Sequence, residues 1–218
     1  MSEIVLRGYK KNSTKRVKIP LVIEADDIKW KGEVGIKQAI GVSPYKVYET
    51  VAEMQDDAFN LSLGKCVRTL GYYRRGDGGG GDYIIDVTTA PFSIYISRTF
   101  RANLIIPSNG VVNILQYGIK NDGTGPSSLV KEFLQHNNFV HAFYFPRGIY
   151  TFPSENFTIN GNINIYGDGE ETIFQSQRQY KVIFNGNAKI EDVKLMGGLT
   201  FVSKDENKFK FKLDIYKN

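Results

Sequence analysis

Cysteine is almost absent from this chain of 218 residues, with Cys66 standing alone. One thiol excludes an internal disulfide framework and any cysteine-rich zinc site. If the protein works outside a cell, it is held together without disulfides. Histidine is nearly as scarce, limited to His136 and His141. Their spacing puts them on different faces of a helix, and Asn137-Asn138 reads as a break between them, so a shared metal site is not expected. No apolar run approaches the roughly 20 residues that a membrane-crossing helix needs. The start, Met1-Ser2-Glu3 with a basic stretch behind it, lacks the apolar segment of a secretory signal. No G-x-S-x-G elbow is present. Gly64-Lys65 is followed by Cys66, where a phosphate loop needs Ser or Thr.

Against these gaps, 41% of residues are hydrophobic and 23% charged, enough for a core and an ordinary soluble surface. The length allows one large domain or two small ones. A net charge of +5 is only a weak pointer to nucleic acid. The basic residues cluster: Arg7, Lys10, Lys11, Lys15, Arg16 and Lys18 fall in one stretch with no acid between them. Such an arm suits docking on an acidic partner or on nucleic acid. Without interleaved aromatics or a nucleic-acid motif, a solvated strand face is the plainer alternative.

Local patterns predict a mainly β chain with two helices. Residues 17–23 read as an edge strand, because Pro20 removes a ladder donor. Residues 32–41 carry no clear period. Val51, Met54, Ala58 and Leu61 share one helical face over 50–61, with Thr50 as N-cap, Glu53 completing a capping box and Gly64 closing the segment. A second helix is predicted at about 126–137, with Pro126 at its first position and Leu129, Val130, Phe133 and Leu134 as its apolar side. Elsewhere short β segments dominate: 66–70, 83–87, 92–96 and 104–106, then 143–145, 149–152, 157–159, 163–166, 172–175, 182–184, 190–195 and 199–202. Asn160-Gly161-Asn162, Gly167-Asp168-Gly169, Asn185-Gly186-Asn187 and Gly197-Gly198 punctuate the later ones. Short strands with recurrent Asn/Gly corners suit a parallel β-helix. An antiparallel sandwich competes, and periodicity does not separate the two. In the final segment Phe209, Phe211, Leu213 and Ile215 alternate with Lys208, Lys210, Lys212 and Asp214, a half-buried strand that caps a solenoid or joins a neighbouring subunit.

Few residues invite a catalytic reading. Gly76-Asp77-Gly78-Gly79-Gly80-Gly81 formally satisfies a dinucleotide fingerprint, but a strand pattern follows it instead of a helix. A turn with positive φ at several positions is the better reading. Glycan hydrolysis commonly uses two carboxyl groups roughly 5–10 Å apart. The candidates are Asp168, Glu170, Glu171, Glu191 and Asp192. Asp168 sits between glycines, in a turn. Adjacent carboxylates on a strand point to opposite faces, so Glu170-Glu171 and Glu191-Asp192 are not ready-made sites. Aromatics reach 13%. Exposed ones stack on sugars, although core and inter-subunit packing is the commoner use.

Two stretches carry a resemblance. Thr50-Val51-Ala52-Glu53-Met54, then Leu63-Gly64-Lys65-Cys66-Val67-Arg68-Thr69-Leu70-Gly71-Tyr72-Tyr73 and Gly76 to Ile85, resemble the small module that leads into the β-helix of bacteriophage tailspike and appendage proteins. Val112-Asn113-Ile114-Leu115-Gln116-Tyr117-Gly118-Ile119-Lys120-Asn121-Asp122-Gly123, the helix after it, and Phe143-Tyr144-Phe145-Pro146-Arg147-Gly148-Ile149-Tyr150 look like the start of a pectate-lyase-like β-helix. Together they span about residues 46–152. Where family members often carry acids at the helix start, this chain has Gly125-Pro126-Ser127-Ser128.

The resemblance implies a mainly β fold in three parts: a virion-anchoring arm at 1–45, an α/β lead-in module at 46–111, and a short right-handed parallel β-helix from 112 to 218. It implies a homotrimeric, structural tail-fibre or tailspike component of the virion, made in the host cytoplasm. Its partners would be collar, portal or tail proteins, with host surface polysaccharide as a contact. Arg7, Lys10, Lys11, Lys15, Arg16 and Lys18 are then the candidate docking residues. No cofactor, metal, membrane span or nucleic acid is expected, and no family catalytic residue carries over. The alternative is a polysaccharide-degrading lyase or glycoside hydrolase.

Overall fold

The computed structural model describes residues 45–204 and 209–212. The predicted strand at 17–23 and the six basic docking residues lie outside them. Five strands build the first sheet: β1 (Lys46–Tyr48), β2 (Cys66–Thr69), β3 (Asp82–Asp86), β4 (Ser93–Tyr95) and β5 (Arg101–Leu104), in the order β1-β2-β3-β5-β4. Only β1 and β2 run parallel; the other pairings are antiparallel. Val67, Tyr83, Ile85 and Ala102 are fully buried on its inner side. The predicted strand at 104–106 falls three residues earlier, at β5, because Ala102 and Leu104 supply the inward positions.

Helix α1 (Val51–Asp56) is shorter than predicted, and a 3-10 turn over Ala58–Asn60 follows it. Thr50 caps it, its hydroxyl accepting the Glu53 N–H at 3.2 Å. The Glu53 carboxylate reaches one residue beyond the predicted box, to the Glu49 N–H.

From Val111 the pairing changes. Strands β6 (Val111–Asn113), β7 (Ala142–Tyr144), β10 (Ile163–Tyr166), β12 (Ala188–Glu191) and β14 (Phe209–Lys212) form one sheet, every pair parallel. Strands β8 (Gly148–Thr151), β9 (Phe157–Asn160), β11 (Thr172–Asn185) and β13 (Lys194–Ser203) form another, also parallel throughout. From β9 onward the chain alternates between the two sheets. Ile163 pairs with Ala188, and Ala188 with Phe209. One coil thus takes roughly 20–25 residues, as solenoid repeats do. These registers establish a parallel β-helix and exclude the antiparallel sandwich.

Strand β11 joins segments predicted as separate, at 172–175 and 182–184. Its first half pairs with β8 and its second with β9, with a register shift between Ser176 and Tyr180. The strand turns a corner there instead of ending, and Gly197-Gly198 of the next coil accommodates it. A Cβ on Gly198 would lie 2.5 Å from the Arg178 carbonyl.

The inside of the coils is aromatic. Val112, Phe143, Ile165 and Ile190 stack in register on one side, and Tyr150 and Phe174 on the other, all at most 2% exposed. Phe133 lies 4.7 Å from Phe143, and Phe145 the same distance from Phe174 (ring centres). Helix α2 (Ser127–Leu134) lays Val130, Phe133 and Leu134 over the first coil. Pro126 is its extended N-cap, one position before the site predicted for it, because the residue itself keeps ψ at 117°. Phe92, just before β4 of the first sheet, packs on Tyr117, Phe133, His136 and Phe143. Its φ of 62° is uncommon for a side chain of this bulk, and four rings hold it there.

The glycine-rich run is a turn organised by Asp77. Its carboxylate accepts the N–H groups of Tyr72, Tyr73, Arg74 and Gly79. Burial pushes this carboxyl up, but the four donors outweigh burial and hold it below the usual range. Gly78 and Gly80 carbonyls then receive the Asn113 and Gln116 amides, tying the module to the first coil. Replacing Asp77 with Ala strands four donors at once and should cost about 3 kcal/mol at neutral pH. Because the folded carboxyl has the lower pKa, the difference from the parent should shrink as pH falls below about 3.9. Urea unfolding of both proteins at pH 7 and pH 3 checks this.

Candidate glycan-facing surface

On the outward side of the β7-β10-β12 sheet, the same registers that stack the core also stack the exposed positions. Tyr144 pairs with Tyr166, and Tyr166 with Glu191. The two half-buried rings are stacked, with centres 5.1 Å apart and planes 25° off parallel. Each tyrosine ends its strand just before a corner. Phe145, Pro146 and Arg147 follow the first; Gly167, Asp168 and Gly169 follow the second.

Asp168 locks this corner. Its carboxylate accepts the Tyr144 hydroxyl at 2.9 Å and the Arg147 N–H at 2.8 Å. Its own N–H donates to the buried Thr172 hydroxyl, which donates to the Phe145 carbonyl. Burial and then the Asp168 carboxylate push the Tyr144 phenol above its ordinary pKa, and Tyr166 is raised for the same two reasons. Around the tyrosines lie charged pairs: Arg147 with Glu171 at 3.7 Å and Lys189 with Glu191 at 2.8 Å.

The predicted carboxylates therefore fall at two successive corners, one after β10 and one at the end of β12. Asp168 is in a turn, as expected, and is engaged by two donors. Glu170-Glu171 is not on a strand; it sits in a 3-10 turn over Gly169–Glu171. Glu191 ends β12, and Asp192 turns the next corner with φ at 56°. Among the described residues, no group of three His, Cys, Asp or Glu side chains is placed to hold a metal ion. His136 lies against Phe92, whereas the His141 N–H donates to Gly110.

Sequence reasoning missed Tyr144 and Tyr166 as a pair. The available signal was positional: each is the last strand residue before a Pro/Gly corner, so one coil repeat superposes them.

No protein-family model matches the chain, and no curated protein does. Solved structures do align with it. The Acinetobacter phage vB_ApiP_P1 tailspike protein is 16% identical, with a TM-score of 0.47, over 77% of this chain and 31% of that one. WceF of Pantoea stewartii, a glycan biofilm modifying enzyme with a bacteriophage tailspike-like parallel β-helix fold, is 16% identical over 73% and 30%, with a TM-score of 0.39. ORF18 of Geobacillus virus E2 is 19% identical over 72% and 36%, with a TM-score of 0.37. The first two are a tailspike and a tailspike-like protein. This chain spans about a third of the length of each. The coil registers, not these likenesses, establish the parallel β-helix here.

Tyr144→Phe removes one hydroxyl from the Asp168 carboxylate at an exposed corner. It should cost about 1 kcal/mol and leave far-UV circular dichroism unchanged, as thermal unfolding followed by that signal would show.

Proposed function

We propose that this chain is a structural component of a phage tail spike or appendage. Residues 1–45 anchor it to the virion, 46–111 form the lead-in module, and the coils from 112 onward contact host surface glycan. The outward Tyr144–Tyr166 stack carries this reading. Each ring has one face against the other, so what the stack offers a sugar is its remaining apolar ring surface on a rigid sheet, with charged and hydrogen-bonding groups beside it. The Asp168 lock holds Tyr144 in place, so little side-chain freedom is lost on contact.

Asp168, Glu171 and Glu191 are each bonded to a neighbouring donor or cation, and such bonds support a structural corner that carries the tyrosines. Arg7, Lys10, Lys11, Lys15, Arg16 and Lys18 give the arm positive charge that suits an acidic collar or tail protein. Three copies around one axis would present three such arms to the virion.

Tyr166→Ala should weaken binding to host surface polysaccharide about ten-fold, in line with a lost stacking ring. Surface plasmon resonance on immobilised polysaccharide checks this, and unchanged binding overturns the assignment of that face. Release of new reducing ends from the same polysaccharide would favour a degrading enzyme instead. Removing residues 1–45 should abolish attachment to virions while leaving a folded product, as a co-sedimentation assay would show. Attachment that survives the truncation overturns the anchoring role.

A further inference from the structure

The corner that sets Tyr144 beside Tyr166 also prepares the two rings for a reaction. The geometry points to a modification site: loss of one electron from each ring joins Tyr144 to Tyr166 as a dityrosine, a carbon–carbon bond between successive coils. The inference stands on the stack alone and does not draw on the glycan reading.

Proximity comes from the fold. Tyr144 and Tyr166 are paired across β7 and β10, so both rings leave the sheet in the same direction. Their centres are 5.1 Å apart, with planes 25° off parallel. Both are half-buried, so a small oxidant reaches them from the solvent side. Held like this, two phenoxyl radicals meet without having to diffuse together. Tyr144 is fixed by Asp168. The Tyr166 hydroxyl has no hydrogen-bond partner among the described residues, so its ring is the one that swings into the bond.

Charge favours this pair. A phenol gives up an electron more easily when its proton has an acceptor in place. The Asp168 carboxylate already accepts the Tyr144 hydroxyl, at 2.9 and 3.0 Å, and stabilises the positive charge that develops on the ring. Another close pair, Tyr72 and Tyr73, has the opposite setting. Their centres are 4.8 Å apart, but the planes are tilted by 56°. The Lys120 ammonium stands 5.2 Å from the Tyr73 ring centre, where it opposes electron loss.

Each phenol gives one electron to a one-electron oxidant, such as a peroxide activated by a transition metal. Each also gives one proton, Tyr144 to Asp168 and Tyr166 to water. The radicals combine at the ring carbons ortho to oxygen, and each ring then shifts the hydrogen on that carbon back to its oxygen. The product is lighter by two hydrogen atoms. It ties two coils covalently in a chain whose single cysteine, Cys66, allows no internal disulfide.

Irradiation of the full chain with tris(bipyridine)ruthenium(II) and persulfate tests the assignment. Trypsin cuts after Lys131, Arg147 and Arg178, so mass spectrometry of the denatured digest should find segment 132–147 bonded to segment 148–178. Tyr144 is the only tyrosine of the first segment; the second also holds Tyr150, which is fully buried. Tyr144→Phe and Tyr166→Phe should each lower the yield of the linked pair about ten-fold or more. Dityrosine formed mainly between Tyr72 and Tyr73, or only between chains on a denaturing gel, overturns the proposal. So does oxidation of the tyrosines that leaves the two segments unlinked, or a yield unmoved by Tyr166→Phe.

Discussion

Coils can stack at the spacing of neighbouring strands only if their corners leave room for one another. The tightest place is the Asn-Gly-Asn corner. A Cβ on Gly186 would lie 2.2 Å from the Gly161 carbonyl oxygen, so the upper corner rests directly on the backbone of the lower one. The asparagines on either side turn that contact into a ladder. Asn185 donates to the Asn160 side chain, and the Asn187 N–H donates to that of Asn162. Below them Asn137, buried, donates to both the Asn160 and Asn162 carbonyls. With the corner held, the register on either side is held too. The inward phenylalanines and the outward tyrosines then superpose without further instruction.

The first sheet and its loops solve a different problem, which is how to cover the first coil of such a stack. They do so with one strained residue and one satisfied charge. Phe92 accepts a left-handed backbone to place its ring among those of Tyr117, Phe133 and Phe143. Asp77 gathers a polar loop around itself so that Gly78 and Gly80 can bond to the first coil. Strain of this kind persists only where the surroundings over-determine it.

Much of this was legible in the sequence, and the exceptions have physical reasons. Recurrent Asn/Gly corners revealed the solenoid because glycine is needed where coils touch, and that need is local. Both helices were visible from their apolar spacing. Their ends were less so: the first helix tightens into a 3-10 turn, and Pro126 stays outside the second. Strand β11 looked like two strands because Gln177, Arg178 and Gln179 are exposed at its bend, and an outward bend resembles a loop in sequence. The Glu170-Glu171 pair misled for a related reason. Period-two reasoning holds only on a strand, and these residues lie in a turn. The Tyr144–Tyr166 stack depends on which coil lies above which, a relation no local pattern records.

The direction of the inter-coil hydrogen bonds also has a mechanical consequence. They run along the axis of the stack, from β7 to β10 to β12 and from β8 to β11 to β13. Tension along that axis loads every coil boundary with the same force, and the boundary with the weakest bonding yields first. Compression instead drives Gly186 onto Gly161 and aromatic ring onto aromatic ring, where close packing resists further approach. The part of the chain described here is therefore a strut, stiffer when pushed than when pulled.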